Sequence, residues 1–189
     1  MPAAFMLALS GSASSAETLV ERARRGDRDS LEKLLRQTAP DVVNLCRHTL
    51  RRDPDDAAQA ALEKIVRKLH RFDGKRGSFR SWALAIARNE CRDRMRSLKR
   101  RGERESAEVD APSDQPSPER LALARIEAAD LAEALQTLPE SQRSAIALFH
   151  GSGLSYEEIA DVMDVPKGTI MTWLHRGRKR LRAALEKNA

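Results

Sequence analysis

The side chains most suited to chemistry lie near the C-terminus, where polar and basic residues recur at helical spacing. Thr172, His175, Arg176 and Lys179 fall on one side of a predicted helix, opposite an apolar side. Side chains of these types donate hydrogen bonds to base edges and to phosphate oxygens. The chemistry predicted for this segment is therefore recognition of nucleic acid.

A short helix and a tight turn are predicted to position this face. Ser155 can cap the short helix, and Glu158 three residues later completes a capping box. A longer helix is predicted from about residue 167 to about residue 185. Two helices joined by so short a turn are typical of a helix-turn-helix, whose second helix enters the major groove. An ordinary amphipathic hairpin with a solvated basic face is the alternative.

A second basic face follows a helix predicted from about residue 79 to about residue 99. Aromatic residues make up only 4% of the chain, yet Phe72, Phe79 and Trp82 fall around the loop that precedes this helix. One interpretation makes the aromatic rings part of the core and the arginines a solvated face. The other is a single-strand site, in which unstacked bases enter a pocket and a basic track holds phosphates.

The distribution of charge favours a polyanionic partner. The chain has 189 residues, with 34 Lys and Arg against 28 Asp and Glu, a formal net charge of +6. The basic residues concentrate in 88–101 and 167–182, whereas acidic residues gather in 103–119. Two positive clusters separated by an acidic spacer indicate contact with nucleic acid at two places.

Catalytic, metal-binding and membrane functions have little support in the sequence. The four histidines fall in separate segments, and the two cysteines, Cys46 and Cys91, suit small core residues in a reducing compartment. No Gly-rich phosphate loop or nucleophile motif is present. We therefore predict no enzyme, no cofactor and no metal. No apolar run approaches the ~20 residues of a membrane span, so we predict no membrane insertion.

Helical periodicity without alternating strands predicts an all-α fold of two small helical domains joined by a flexible linker. We predict a disordered N-terminal tail at 1–16, a first domain at 17–100, a flexible acidic linker at 101–118 and a second domain at 119–189. In the first domain, Gly26 ends a short helix and Asp27 caps the next. Pro40 is predicted to open a separate helix, and Pro54 another.

The C-terminal motifs resemble region four of bacterial sigma factors, most closely the extracytoplasmic-function (ECF) group of the sigma-70 family. The matching residues are LPE at 138–140, GLSYEEIA at 153–160, GTI at 168–170 and HRGRKRL at 175–181. In that family this second helix reads the minus-thirty-five promoter element. The resemblance implies that the DNA-binding residues there are Lys167, Thr169, Met171, Thr172, His175, Arg176 and Lys179.

The N-terminal half resembles region two of the same group. The matching residues are DPDDAAQ at 53–59, RF at 71–72, SFRSW at 78–82 and IARN at 86–89. In the family this region opens the minus-ten element and captures a non-template base. By resemblance, the base pocket is lined by Lys75, Arg76, Ser78, Phe79 and Asn89. The residues that hold phosphates would be Arg80, Arg88, Arg92, Arg96 and Lys99.

The resemblance also implies partners. In the family the helix that begins at Pro54 docks on core RNA polymerase, and the polymerase-binding residues here would be Asp53, Asp56, Gln59, Glu63 and Arg67. The implied partners are the clamp helices and flap of core RNA polymerase, promoter DNA and an anti-sigma factor, in the cytoplasm. The function predicted is that of an alternative sigma factor. A stand-alone helix-turn-helix regulator and a sigma mimic that captures an inhibitory protein are the alternatives.

Overall fold

The computed structural model describes residues 19–75, 77–100 and 130–188, and these residues form helices and turns with no strand. This confirms the predicted all-α fold for that part of the chain. The predicted tail at 1–16 and the predicted linker at 101–118 lie outside the described residues, as do Arg76 and the predicted start of the second domain. We call residues 19–100 the N-terminal module and residues 130–188 the C-terminal module.

The N-terminal module is built from three long helices around one apolar core. Helix α1 covers residues 19–24, α2 runs from Arg28–Thr49, α3 from Pro54–Lys68 and α4 from Phe79–Arg100. A 3-10 turn, Leu69–Arg71, follows α3. Helices α2, α3 and α4 pack against one another. Their shared core contains Val42, Cys46, Ala61, Ile65 and Leu84, all fully buried.

Local sequence signals account for the start of α2. Gly26 adopts a positive φ of 95°, which a residue without a Cβ tolerates. Asp27 follows as the N-cap, and its carboxylate accepts hydrogen bonds from the backbone N–H groups of Asp29 and Ser30. The predicted boundary between the first two helices is confirmed.

Pro40 does not begin a separate helix, and that prediction was wrong. It lies inside α2, which continues from Arg28–Thr49. A proline in a helix interior costs about 3 kcal/mol, since it removes one backbone hydrogen bond. Here Leu34, Thr38 and Val42 are buried on one face that runs past the proline. Packing along this continuous face outweighs the local cost.

The C-terminal module contains the predicted helix-turn-helix. The described part of α5 covers residues 130–136, and α6, Glu140–Ile146, continues into a π-helical turn, Ala147–Gly151. Helix α7, Tyr156–Met163, and helix α8, Lys167–Asn188, follow. Ser155 and Glu158 form the predicted capping box. Leu148, Leu154, Ile159, Ile170 and Leu174 form the core.

The two modules are in contact. Helix α4 packs against α7, and α2 packs against α6 and the π-helical turn. Gly151 approaches the side chain of Asn44 so closely that a Cβ at 151 would collide with it. Buried side chains of both modules join in one apolar cluster. No helix among the described residues is long and apolar enough to cross a membrane.

Candidate nucleic-acid interface

Helix α8 presents its polar side to solvent because its apolar side is held by the module core. Ile170 and Leu174 are buried, and Gly177 lies so close to α6 that an added Cβ would stand 2.7 Å from Cδ1 of Ile146. The predicted DNA-contacting residues are exposed except Thr169, which is half-buried; the exposed ones are Lys167, Met171, Thr172, His175, Arg176 and Lys179. The structure therefore brings together on one helix face the residues predicted for the minus-thirty-five element.

The turn before α8 fixes the direction of that face. Asp164 ends α7 in the left-handed conformation, with φ 54°, and the chain passes Pro166 into α8. Lys167 forms an ion pair with Glu157 of α7, and Thr172 donates a hydrogen bond to the carbonyl oxygen of Gly168 at 2.9 Å. The Thr172 hydroxyl can still accept a hydrogen bond, and the side chain of Met171 is 50% exposed beside it.

The loop before α4 is held by three aromatic rings. Phe72, Phe79 and Trp82 have ring centroids 5.5 to 5.7 Å apart, and Phe79 is only 5% exposed. Such aromatic contacts stabilise the loop beyond simple burial. In this conformation Phe79 belongs to the core, whereas the resemblance implies that it lines the base pocket. The interpretation of aromatic rings as core residues, left open by the sequence, describes Phe79 and Phe72.

Three predicted pocket residues lie at the surface near this cluster. Lys75, Ser78 and Asn89 are exposed, while Arg76 lies outside the described residues. The Ser78 hydroxyl accepts a hydrogen bond from the backbone N–H of Ser81 at 3.1 Å, so Ser78 also supports the first turn of α4. Lys75 and Asn89 line a cleft between α4 and residues 160–166.

The basic residues along α4 fall into two groups. Arg96 and Lys99, near the end of the helix, are exposed. By contrast, Arg88 is only 8% exposed, and Arg80 and Arg92 are half-buried. The sequence predicted one basic track, but the C-terminal module covers its first part.

Arg80 and Arg88, which the C-terminal module covers, contact acceptor oxygens in the two modules. Arg80 donates from Nε to Asp41 Oδ2 at 2.6 Å and from Nη2 to the carbonyl oxygen of Ser152. Arg88 donates from Nη1 to the carbonyl oxygen of Met163 at 3.5 Å, and its Nε lies 3.8 Å from Glu140 Oε1. The hydrogen bond with Asp41 raises the pKa of Arg80, whereas burial lowers the pKa of Arg88.

Helix α3 carries the predicted polymerase-binding residues on a solvent-exposed stripe. Each of these side chains is exposed: Asp53, Asp56, Gln59, Glu63 and Arg67. Gln59 donates a hydrogen bond to Glu63 at 3.2 Å, which orders the middle of the stripe. Val66 is 39% exposed and adds an apolar side chain to this surface.

Two buried features were not fully predicted from the sequence. Glu90 is paired with Lys64 of α3 and with Arg94, one turn further along α4, at 3.3 Å. The i and i+4 spacing of Glu90 and Arg94 was visible in the sequence, but the contact with Lys64 was not. Cys46 and Cys91 were expected in the core, and their sulfur atoms lie 3.4 Å apart. The hydrogen bond with Cys91 and burial raise the pKa of the Cys46 thiol, which suits an inert core residue.

Similarity to known proteins identifies the family to which this chain belongs. The sequence matches the family model for sigma-70 region 2 over residues 34–101 and that for sigma-70 region 4 over residues 128–181. The RNA polymerase sigma-H factor of Pseudomonas aeruginosa is 33% identical over 181 residues, covering 90% of this chain and 93% of that protein. The chain belongs to the sigma-70 family.

Relatives that are named as ECF sigma factors place the chain in that group of the family. The ECF RNA polymerase sigma-E factor of Escherichia coli K12 is 32% identical over 175 residues, covering 86% of this chain and 90% of that protein. The sigma factor RpoE of Bartonella quintana, crystallised with the anti-sigma factor NepR, superposes with a TM-score of 0.71 at 26% identity. That superposition covers 82% of this chain and 96% of the other. This sigma factor therefore directs promoter-specific initiation of transcription by RNA polymerase.

Proposed function

We propose that this sigma factor reads the minus-thirty-five element with α8. The exposed face of α8 carries donors that suit base edges and phosphates, and the buried contacts of Ile170, Leu174 and Gly177 hold it rigid. Arg176 is assigned to a base edge and Lys179 to phosphate, while Met171 is available for an apolar contact with a thymine methyl group. A rigid helix whose donors already point outward binds without a large ordering cost.

The minus-ten element is assigned to the loop before α4 and to α4 itself. Lys75 and Asn89 supply exposed polar groups at this end of the helix, and Arg96 and Lys99 supply positive charge further along. Unstacking a base costs a few kcal/mol, which contacts in a pocket can offset. Phe79 supports the loop from beneath in the conformation described. Arg80, Arg88 and Arg92 are also assigned to phosphates, a role that requires Arg80 and Arg88 to leave their acceptors in the C-terminal module.

We assign the exposed stripe of α3 as the surface that docks on the clamp helices of core RNA polymerase. The C-terminal module is assigned as the surface that binds the flap of the polymerase. Alternating acidic, amide and basic side chains at helical spacing suit a charged partner helix. The exposed Val66 adds apolar area within the same surface. The chemistry of transcription belongs to the polymerase, and we assign this protein no catalytic step and a cytoplasmic location.

We also propose an anti-sigma factor as a partner. The support is similarity: RpoE of Bartonella quintana, which superposes over most of this chain, was crystallised with one. The stand-alone regulator considered from the sequence is not favoured, since it gives residues 53–99 no task although they match sigma-70 region 2.

The observation that carries the proposal is that matched regions two and four each present an exposed polar or basic surface in one chain. The test is transcription by sigma-free core polymerase on a library of genomic promoters, with start sites mapped by sequencing. The chain is expected to yield transcripts from discrete starts that share two spaced elements. Glu63→Lys on α3 should lower holoenzyme formation, whereas Glu32→Lys on exposed α2 should not. Absence of specific starts across the library would contradict the proposal.

A further inference from the structure

A network of charged side chains joins α3, which is assigned to polymerase, to α4, which is assigned to the minus-ten element. Its centre is Glu90 on α4, whose side chain is only 10% exposed. One carboxylate oxygen of Glu90 accepts a hydrogen bond from Lys64 of α3, and the other accepts one from Arg94 Nε at 3.3 Å. Arg94 Nη1 also donates to the backbone carbonyl oxygen of Asp53, just before α3, at 3.4 Å. The network therefore fastens α4 to α3 at two points, about 16 Å apart along the axis of α3.

The points of attachment lie beside residues that are assigned to the binding surfaces. Lys64 directly follows Glu63 of the polymerase-binding stripe. Glu90 directly follows Asn89, which is assigned to the captured base. Asp53, which supplies the backbone acceptor, is itself a predicted polymerase-binding residue and adopts a left-handed φ of 51°. A shift of α4 relative to α3 would therefore move the base pocket relative to the surface that polymerase holds.

Apolar packing alone specifies the placement of α4 on α3 only weakly, because alanine is common on the packed faces of both helices. The buried residues of α3 are three alanines and one isoleucine: Ala57, Ala58, Ala61 and Ile65. Two of the buried residues of α4 are also alanine, Ala83 and Ala87. Side chains of one carbon atom fill little of the groove on a facing helix, so they resist sliding and rotation less than long side chains do. Directional polar contacts can supply the missing restraint.

Stability alone is a weak explanation for this buried ion pair. Withdrawing charged groups from water offsets most of their mutual attraction, and replacing such a pair by apolar residues of similar volume is often neutral or stabilising. Burial raises the pKa of Glu90, but the hydrogen bonds from Lys64 and Arg94 lower it, so the carboxylate is charged at neutral pH. Each of its oxygen atoms then accepts from a different cation. This geometry restrains the orientation of α4 as well as its distance from α3.

We propose that Glu90 is a positioning residue for promoter opening: it fixes α4 against polymerase-bound α3 so that Asn89 meets the base drawn out of the minus-ten element. This inference rests on the proposed functions of α3 and Asn89. Because its side chain is buried, Glu90 acts through Asn89 and not by contact with DNA. A pocket that is already oriented binds the base with less ordering, and small displacements of a binding group lower its effect strongly.

A double-mutant cycle between Glu90→Gln and Asn89→Ala tests the proposal in holoenzyme. The glutamine keeps the shape of the side chain and removes its charge. At saturating core polymerase, the affinity is measured for a fluorescent single-stranded oligonucleotide that carries the non-template minus-ten sequence of a promoter mapped by the transcription test. Ile65→Val removes a buried methyl group from α3 outside the network and is the control for lost stability. Circular dichroism at the assay temperature checks that each variant is folded.

Glu90→Gln is expected to weaken oligonucleotide binding by about fivefold or more, while affinity for core polymerase changes by less than about twofold. In the Asn89→Ala background the same substitution should cost less than about twofold, because the residue through which Glu90 acts is absent. Ile65→Val should leave the affinity within about twofold in both backgrounds.

Equal losses from Glu90→Gln in the two backgrounds, or no loss in either, would overturn the inference and leave the proposed function intact. Unchanged binding by Asn89→Ala alone would instead contradict both the inference and the role assigned to Asn89. The two failures are therefore distinguishable within one set of measurements.

Lys64→Met tests the network from the other helix without changing α4. Lys64 lies on α3, so the proposal predicts that its effect on base capture passes through Glu90. Lys68→Met removes the same charge from an exposed position of the same helix and is the matched control. The first variant is expected to weaken oligonucleotide binding by about threefold or more relative to the second, and to lose this effect in the Asn89→Ala background. Equal affinities for the two lysine variants would contradict the proposed network.

Discussion

Gly177 of α8 lies so close to Ile146 of α6 that a Cβ at position 177 would stand 2.7 Å from Cδ1 of Ile146. The same Cβ would lie 3.3 Å from Leu138 Cδ2. Only a residue without a side chain permits this approach, which lets α8 pack directly against α6. The angle at which α8 presents Arg176 and Lys179 therefore depends on a glycine on the opposite side of the helix.

Gly177→Ala is expected to lower the free energy of unfolding by about 1 to 3 kcal/mol, because the added methyl group overpacks the contact with α6. Gly168→Ala in the same helix is the matched control, since a Cβ there would meet no atom within 4 Å. The control should be neutral or stabilised by about 0.5 to 1 kcal/mol. Urea denaturation followed by circular dichroism measures both. Equal stability of the two variants would contradict the close contact.

Ser155→Ala should lower the free energy of unfolding by about 1 kcal/mol, because the hydroxyl accepts the N–H of Glu158 and caps α7. Ser141→Ala, in the first turn of α6, where no side-chain cap is formed, should change it by less than about 0.5 kcal/mol. Thermal denaturation of the two variants in parallel makes the comparison. If Ser155→Ala lowers the free energy of unfolding by no more than Ser141→Ala does, the capping box does not contribute to stability.

The lowered pKa of Glu90 predicts that the free energy of unfolding depends on pH. Burial alone would raise its pKa, but hydrogen bonds from Lys64 and Arg94 lower it below the ordinary value of 4.5. Because the folded pKa is depressed, this contribution is fully present above the unfolded pKa and is lost as pH falls through the folded pKa. Urea denaturation should show wild type and Glu90→Gln differing by a constant amount from about pH 7 to about pH 5, then converging in stronger acid. A gap that widens as the pH falls would contradict the shift.

Arg176→Ala and Arg96→Ala should weaken promoter binding in different ways. Removing a base contact at Arg176 is expected to cost about 1 to 3 kcal/mol and to relax preference at one position of the minus-thirty-five element. Removing a phosphate contact at Arg96 should weaken all sequences alike and reduce the slope of log affinity against log salt by about 1. Holoenzyme binding to a randomised promoter library at several salt concentrations separates the two. A uniform decrease for Arg176→Ala would exclude its role in base recognition.

Local signals in the sequence predicted much of this architecture. The capping box at Ser155, the helix start at Asp27 and the exposed face of α8 depend on residues within a few positions of one another, so their spacing alone was informative. The prediction at Pro40 was wrong because a local cost was outweighed by a buried face that extends on both sides of it. The backbone conformation at Pro40 is decided by packing, which spacing does not reveal.

Long-range contacts explain what the sequence did not predict. The spacing of Arg88 indicates a solvent-facing residue, but its acceptor at Met163 is 75 positions away in the chain. Glu90 pairs with Lys64 on another helix for the same reason. Phe79 resembles a base-pocket residue in its motif, but it packs in the core with its two aromatic neighbours. Assigning the DNA surface therefore requires knowing how the helices pack against one another, as well as which residues lie on each helix face.

Site-specific photo-cross-linking in an open promoter complex tests the central claim most directly. A photoreactive amino acid replaces Asn89 in one variant of this sigma factor and His175 in another, each assembled with core polymerase on promoter DNA of known start site. We predict that position 89 cross-links to the melted non-template strand at the minus-ten element and position 175 to the minus-thirty-five duplex. Transcriptionally active complexes in which position 89 cross-links to no melted DNA, or in which the two positions mark the same element, would contradict the account.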